Sequence, residues 1–177
     1  MRGVLRRPQA HCLEAALSGA TILEAHGFPP LLLDLRSKDQ LDQVLFLFER
    51  DGRFGTVARS RDPGLHGRRT VFRTLKSLVR SYMPPFIDRT GRITGYATYD
   101  LRRLDRCDWR LSTRNVWAVQ RALIANRGKR LGMSDDKYRR WHRRSVRFGE
   151  ENPDEKPMYY PGRDRGMPAG PTAARKR

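Results

Sequence analysis

Residues 11–36 read HCLEAALSGATILEAHGFPPLLLDLR, and two periodicities meet inside them. From His11 to His26 the apolar residues Leu13, Ala16, Leu17, Ala20 and Leu23 recur at helical spacing, and Gly27 is a natural stop. The spacing predicts a helix opening at Cys12 and buried along one face. Pro29 and Pro30 then lead into Leu31-Leu32-Leu33-Asp34-Leu35. That run is too short for a helix and has the continuous apolar character of a strand covered on both sides. A helix packed on a buried strand sets the expected class: an α+β domain with a Cys-bearing helix on a small antiparallel sheet.

Downstream, Val44 to Glu49 is a second apolar run, and Asp51-Gly52 is the dipeptide that turns one strand into the next, with Phe54 to Ala58 returning. Val71 to Tyr82 has helical periodicity and is stopped by Pro84 and Pro85. Arg89 to Tyr99, with Gly91 and Gly95, reads as a loop or irregular strand. Thr113 to Ala125 reads as a helix capped by Ser112 or Thr113, with Trp109 and Trp117 packing there. After Gly128 the chain changes character. Asp135 to Phe148 fits a basic amphipathic helix through Tyr138, Trp141 and Val146, and residues 149–177 are rich in proline and glycine. The expected division is therefore a folded domain over residues 1–127 and a basic, largely extended or disordered C-terminal extension over residues 128–177.

The formal net charge is +18 over 177 residues, and its distribution is uneven. Residues 1–58 are balanced, residues 59–127 carry a net +11 and residues 128–177 a net +7. Such a surplus points to an anionic partner such as nucleic acid. The two cysteines, Cys12 and Cys107, lack the paired spacing of a metal site, and no cofactor is implied. No run approaches the ~20 apolar residues of a membrane span. With no apolar secretory leader either, a reducing cytoplasmic setting is the expectation.

Cys12 falls in the first turn of its helix, where free backbone N–H groups and the helix dipole favour a thiolate. The alternative is a small, buried core residue. A thiol nucleophile needs a base, normally histidine. The order of Cys-bearing helix, Leu-Leu-Leu-Asp-Leu strand and antiparallel hairpin resembles the transglutaminase-like branch of the papain-like cysteine hydrolases. His11 to Ala16, His26 to Arg36, Asp51 to Gly55, Val71 to Leu75 and the Asp108-Trp109 region look like a bacterial group of such domains without an assigned activity, to about residue 120.

The resemblance implies a nucleophile at Cys12, a histidine opening the first hairpin strand, an acidic or amide partner on the next strand, a peptide or amide substrate, and a longer region ahead of the nucleophile. The position before Val44 is Gln43. An amide can orient a substrate or donate to an oxyanion but cannot take up and return a proton near neutral pH. His26 lies about 20 Å from Cys12 along a helix, His11 adjoins it in sequence, and His142 belongs to the basic extension. His66, in the Gly64-Leu65-His66-Gly67 loop, is the remaining base. The expected catalytic set is thus Cys12, Gln43 and His66, in a degenerate hydrolase or acyltransferase whose activity is weak or absent.

A second constellation is basic. Arg68, Arg69, Arg73, Lys76 and Arg80 cluster at one helix, and Arg139, Arg140, Arg143 and Arg144 alternate with Tyr138, Trp141 and Phe148. Guanidinium forks match phosphates and aromatic faces stack on bases. The competing function is a nucleic-acid- or polyanion-binding scaffold without catalysis; the bland alternative is a solvated basic face.

Overall fold

The computed structural model describes residues 12–60, 63–87, 91–105, 107–112, 116–151 and 153, and every structural statement below concerns these. Helix α1 (Cys12–Glu24) ends at Gly27, whose φ of +84° is easy for glycine. Strand β1 (Leu31–Ser37) is followed by β2 (Gln43–Arg50) and β3 (Arg53–Val57). Asp51 and Gly52 join the last two with φ of +52° and +66°, the paired positive values that a tight hairpin turn requires. A 3-10 turn (Pro63–Leu65) leads to β4 (Arg68–Phe72) and α2 (Leu75–Tyr82). The remaining elements are β5 (Ile93–Asp100), a 3-10 turn (Leu101–Arg103), α3 (Trp117–Ala125), β6 (Lys129–Arg130) and α4 (Asp135–Glu151).

The strands form one antiparallel sheet in the order β4-β3-β2-β1-β5-β6, so the protein is α+β. β1 lies inside the sheet and is buried on both faces, as an apolar run interrupted only by Asp34 predicts. Alternation then sorts two cores. Leu32, Val44 and Phe46 leave one face and pack with Ala16, Leu17 and Ala20 of α1 and Val119 and Leu123 of α3. Leu33, Leu35, Leu45 and Leu47 leave the other and meet Leu78, Val79 and Tyr82 of α2, with Trp141 of α4 against them. Each fully buried side chain of this kind contributes about 1.5–3 kcal/mol.

Four sequence expectations change or narrow. The helix expected from Val71 begins at Leu75, because Thr74 and Ser77 form a reciprocal capping box; Arg68 to Phe72 are strand β4. The glycine-marked segment expected as a loop or irregular strand is the strand: β5, eight residues beside β1, with a register shift between Arg36 and Ser37. Gly95 there does not break the strand; it lets β6 approach so closely that a Cβ would lie 2.8 Å from the Lys129 carbonyl oxygen. α3 starts at Trp117 with no side-chain cap; of the two expected caps, Ser112 lies five positions ahead of the helix and Thr113 lies outside the described residues.

The fourth change concerns the boundary after residue 127. β6 extends the sheet, Leu131 is buried in the α2-side core, and α4 packs there through Trp141. The packed unit therefore runs to α4. Along that helix the less exposed positions are Tyr138, Trp141, His142, Ser145, Phe148 and Gly149, a stripe at helical spacing, whereas Val146 faces solvent. Arg92 holds the helix start by an ion pair to Asp135 at 2.7 Å. The proline- and glycine-rich tail expected to be disordered lies outside the described residues beyond position 153. No described helix is long and apolar enough to cross a membrane.

Candidate functional site

Cys12 is the first residue of α1, half-buried, and packs against the α1-side core with Leu13. Gln43 leaves the sheet on the opposite face. Its cross-strand partner is Leu35, a fully buried member of the α2-side core, and the β1–β2 register runs without a bulge from Leu35↔Gln43 to Leu31↔Leu47. Side chains directly opposite each other in an antiparallel pair share a face, so the period of two fixes the side of Gln43. It is 7% exposed, and its Nε2 has no hydrogen-bond partner.

His66 joins neither of them. Its Nε2 lies 2.9 Å from the Ser60 carbonyl oxygen, while its own carbonyl oxygen accepts from Arg68 Nη1 at 2.7 Å and from the Tyr82 hydroxyl at 3.1 Å. Tyr82 belongs to the α2-side core, so these bonds anchor His66 to the side of the sheet away from α1. The expected set of Cys12, Gln43 and His66 is not brought together. The correction has a simple cause: a residue at the start of a hairpin strand meets a neighbouring helix only if it has the right parity, and here that parity belongs to Val44.

Asp34, opposite Val44, has it too. This carboxylate is 4% exposed, 3.4 Å from Arg36, and its pKa is pushed up to about 6 by burial and by the charge of Asp42, partly offset by Arg36. Asp42 accepts a hydrogen bond from the Ser37 backbone N–H at 2.7 Å. Arg36 also donates to the carbonyl oxygens of Leu123 and Asn126, closing the C-terminal end of α3 where cations are favoured. The Asp34–Arg36 pair thus links the central strand to α3. A single charged residue inside an apolar run was the sequence signal for it.

The basic residues separate into internal and external groups. Arg68 is 1% exposed and is not a phosphate contact. Its guanidinium donates to the carbonyl oxygens of His66 and Gly64 and to Ser81 Oγ, and it lies 4.0 Å over the Tyr82 ring. The parity of β4 turns it inward. Arg102 forks onto Asp100, and Arg110 onto Glu24 with both bonds at 2.6 Å, each arginine holding its carboxylate below the ordinary pKa range.

Arg69 is exposed on β4, Arg73, Lys76 and Arg80 on or beside α2, and Arg139, Arg140, Arg143 and Arg144 on α4. Arg139 pairs with Asp136; no described carboxylate forms an ion pair with Lys76, Arg80, Arg140 or Arg143. Because α2 and α4 cover the same sheet face, their cationic outer surfaces belong to one layer. The aromatic residues expected to alternate with the α4 arginines do not share that surface. Trp141 packs toward the core with Lys137 Nζ 4.6 Å over its ring, and Tyr138 lies beneath Arg92. Trp109 is buried as expected, whereas Trp117 is exposed.

No described cluster of three or more His, Cys, Asp or Glu side chains could hold a metal ion. No protein-family model matches the chain, and no curated protein matches it in sequence.

Proposed function

We propose that this protein is a non-catalytic scaffold that binds nucleic acid through its phosphate backbone, using the outer surfaces of α2 and α4. The observation that carries the reading is the set of exposed cations Lys76, Arg80, Arg140 and Arg143, on two helices over one sheet face and without carboxylate partners among the described residues. Arginine supplies 31 of the 37 basic residues, and its planar fork suits phosphodiester oxygens better than an ammonium does. No described feature reads base edges, so recognition is of the backbone.

The test is binding of the full chain to a DNA duplex across a salt series. The logarithm of affinity falls linearly with the logarithm of salt, with a slope of about 0.9 per phosphate neutralised. A Lys76→Glu/Arg80→Glu/Arg140→Glu/Arg143→Glu variant is expected to lose affinity and to show a shallower slope. An unchanged slope in that variant overturns the assignment, and equal affinity for heparin reduces it to general polyanion binding.

The Cys-bearing helix, apolar strand and hairpin on one sheet support a transglutaminase-like ancestry, and Cys12 in the first helical turn supports a vestigial thiol. The direction of Gln43 supports the inactive form of that reading. Alkylation of Cys12 as a function of pH tests it: a midpoint well below the free-thiol value of about 8.5 would argue for a working nucleophile.

A further inference from the structure

Trp117 is the one aromatic side chain among the described residues that lies mostly in solvent, at 56% exposure. α3 is two-sided: Val119 and Leu123 enter the α1-side core, while Trp117, Arg121 and Ile124 recur on the opposite surface at spacings of four and three. The three span about 10 Å along the axis. Isolated exposed apolar residues are ordinary, so the ring alone decides nothing; its surroundings do. Residues 109–134 contain six basic residues and no acidic one, and of the six Arg110 is engaged by Glu24.

Arg130 adds to this surface. Its β6 neighbour Lys129 pairs with Tyr96, which points into the α2-side core, so Arg130, opposite Gly95, leaves the sheet on the side of α3. No described carboxylate pairs with Arg121 or Arg130. The face thus offers a flat ring, a guanidinium one helical turn away and a second beyond the helix end. Two large apolar residues cover far less than the roughly 800 Å² per partner of a stable dimer, which argues against a second copy of the chain.

We infer that the outer face of α3 is a stacking site for an unpaired nucleobase, with the Trp117 ring taking the base and Arg121 and Arg130 the neighbouring phosphates. The inference rests on the nucleic-acid reading above and adds to it a second contact surface, on the opposite side of the sheet from α2 and α4. Bases in a duplex are stacked on one another and closed to the indole. The α3 face therefore favours single strands, whereas the helical arginines do not distinguish the two forms.

The experiment compares the full chain with Trp117→Ala, Trp117→Phe and Arg121→Gln, using oligo(dT), a duplex of equal length, and phosphatidylserine–phosphatidylcholine vesicles. Oligo(dT) is expected to quench tryptophan emission in the unsubstituted protein, and Trp117→Phe to remove the quench while keeping most of the affinity. Trp117→Ala is expected to weaken oligo(dT) binding about tenfold and leave duplex binding unchanged. Arg121→Gln should lower the salt slope by about 0.7, the single-strand value for one phosphate contact.

Oligo(dT) affinity and quenching that survive Trp117→Ala overturn the inference. So does a loss of vesicle association in that variant with oligo(dT) binding intact, which would assign the face to anionic lipid. If duplex binding keeps its salt dependence while Trp117→Ala is neutral, only the stacking site falls. If neither nucleic acid binds, both readings fall together.

Discussion

Replacing Asp34 by asparagine should make the protein more stable at neutral pH, and the gain should vanish in acid. The folded-state pKa of about 6 stands about two units above the ordinary 3.8, because burial and Asp42 outweigh Arg36. A carboxyl raised in this way binds its proton more readily in the native state than in the unfolded one. Stability therefore declines as pH rises from about 4 to about 6 and is level above that. At 1.36 kcal/mol per unit, the ionised group costs about 3 kcal/mol at pH 7 relative to its neutral form. The amide has nearly the shape of the neutral acid and does not titrate.

Urea denaturation of both proteins from pH 4 to pH 8, followed by tryptophan fluorescence, measures the difference directly. It should shift by about 3 kcal/mol in favour of Asp34→Asn between pH 4 and pH 7. Glu24, Asp100 and Asp135 have lowered pKa values and act in the other sense, losing stability as pH falls, but they are common to both proteins and cancel. A difference independent of pH, or one that favours the wild-type protein more strongly at pH 7, would show that Arg36 outweighs burial and would refute the reasoning.

Three further outcomes follow from the geometry. Arg68→Met strands the carbonyl oxygen of Gly64 and leaves that of His66 with the Tyr82 hydroxyl alone, and should cost about 3 kcal/mol in urea denaturation, with duplex affinity unchanged at a temperature where both proteins are folded; a weakened duplex complex would restore Arg68 as a phosphate contact. Gln43→His should produce no Cys12-dependent hydrolysis of an activated ester, because the imidazole would enter the α2-side face; a burst abolished by Cys12→Ala would show the sheet parity to be wrong. Gly95→Ala places a methyl against the Lys129 carbonyl and should lower stability by about 2 kcal/mol, with faster amide exchange at Leu131, whose N–H donates to Thr94; an unaltered exchange rate would mean that β6 accommodates the group.

Legibility in the sequence follows how local the deciding physics is. α1, β1 and the Asp51-Gly52 hairpin are readable because periodicity, proline and turn chemistry act within a few residues. β4 is not, since the alternation of Arg68 to Phe72 resembles a helix start until Thr74 is seen to cap; β5 reads equally as loop or irregular strand, because Gly95 acquires its meaning only from a strand more than thirty positions away. Cys12 on its helix is readable from local periodicity, but the facing of Gln43 is a parity fixed by pairing with Leu35. Composition correctly marked the helical arginines as basic. It could not separate Arg68, which is folded inside, from Arg140 and Arg143, which are not, or tell that Trp141 would turn inward and Trp117 outward.

The two-residue strand β6 has a practical consequence. Because Leu131 and Trp141 roof the α2-side core after the chain has crossed the sheet edge at Lys129 and Arg130, a fragment ending at residue 127 would be an opened box, with Leu35, Tyr96 and Ile93 left under water. Expression of this protein in pieces should respect a minimal unit extending through Glu151, and a basic composition is no guide to where a fold can be cut.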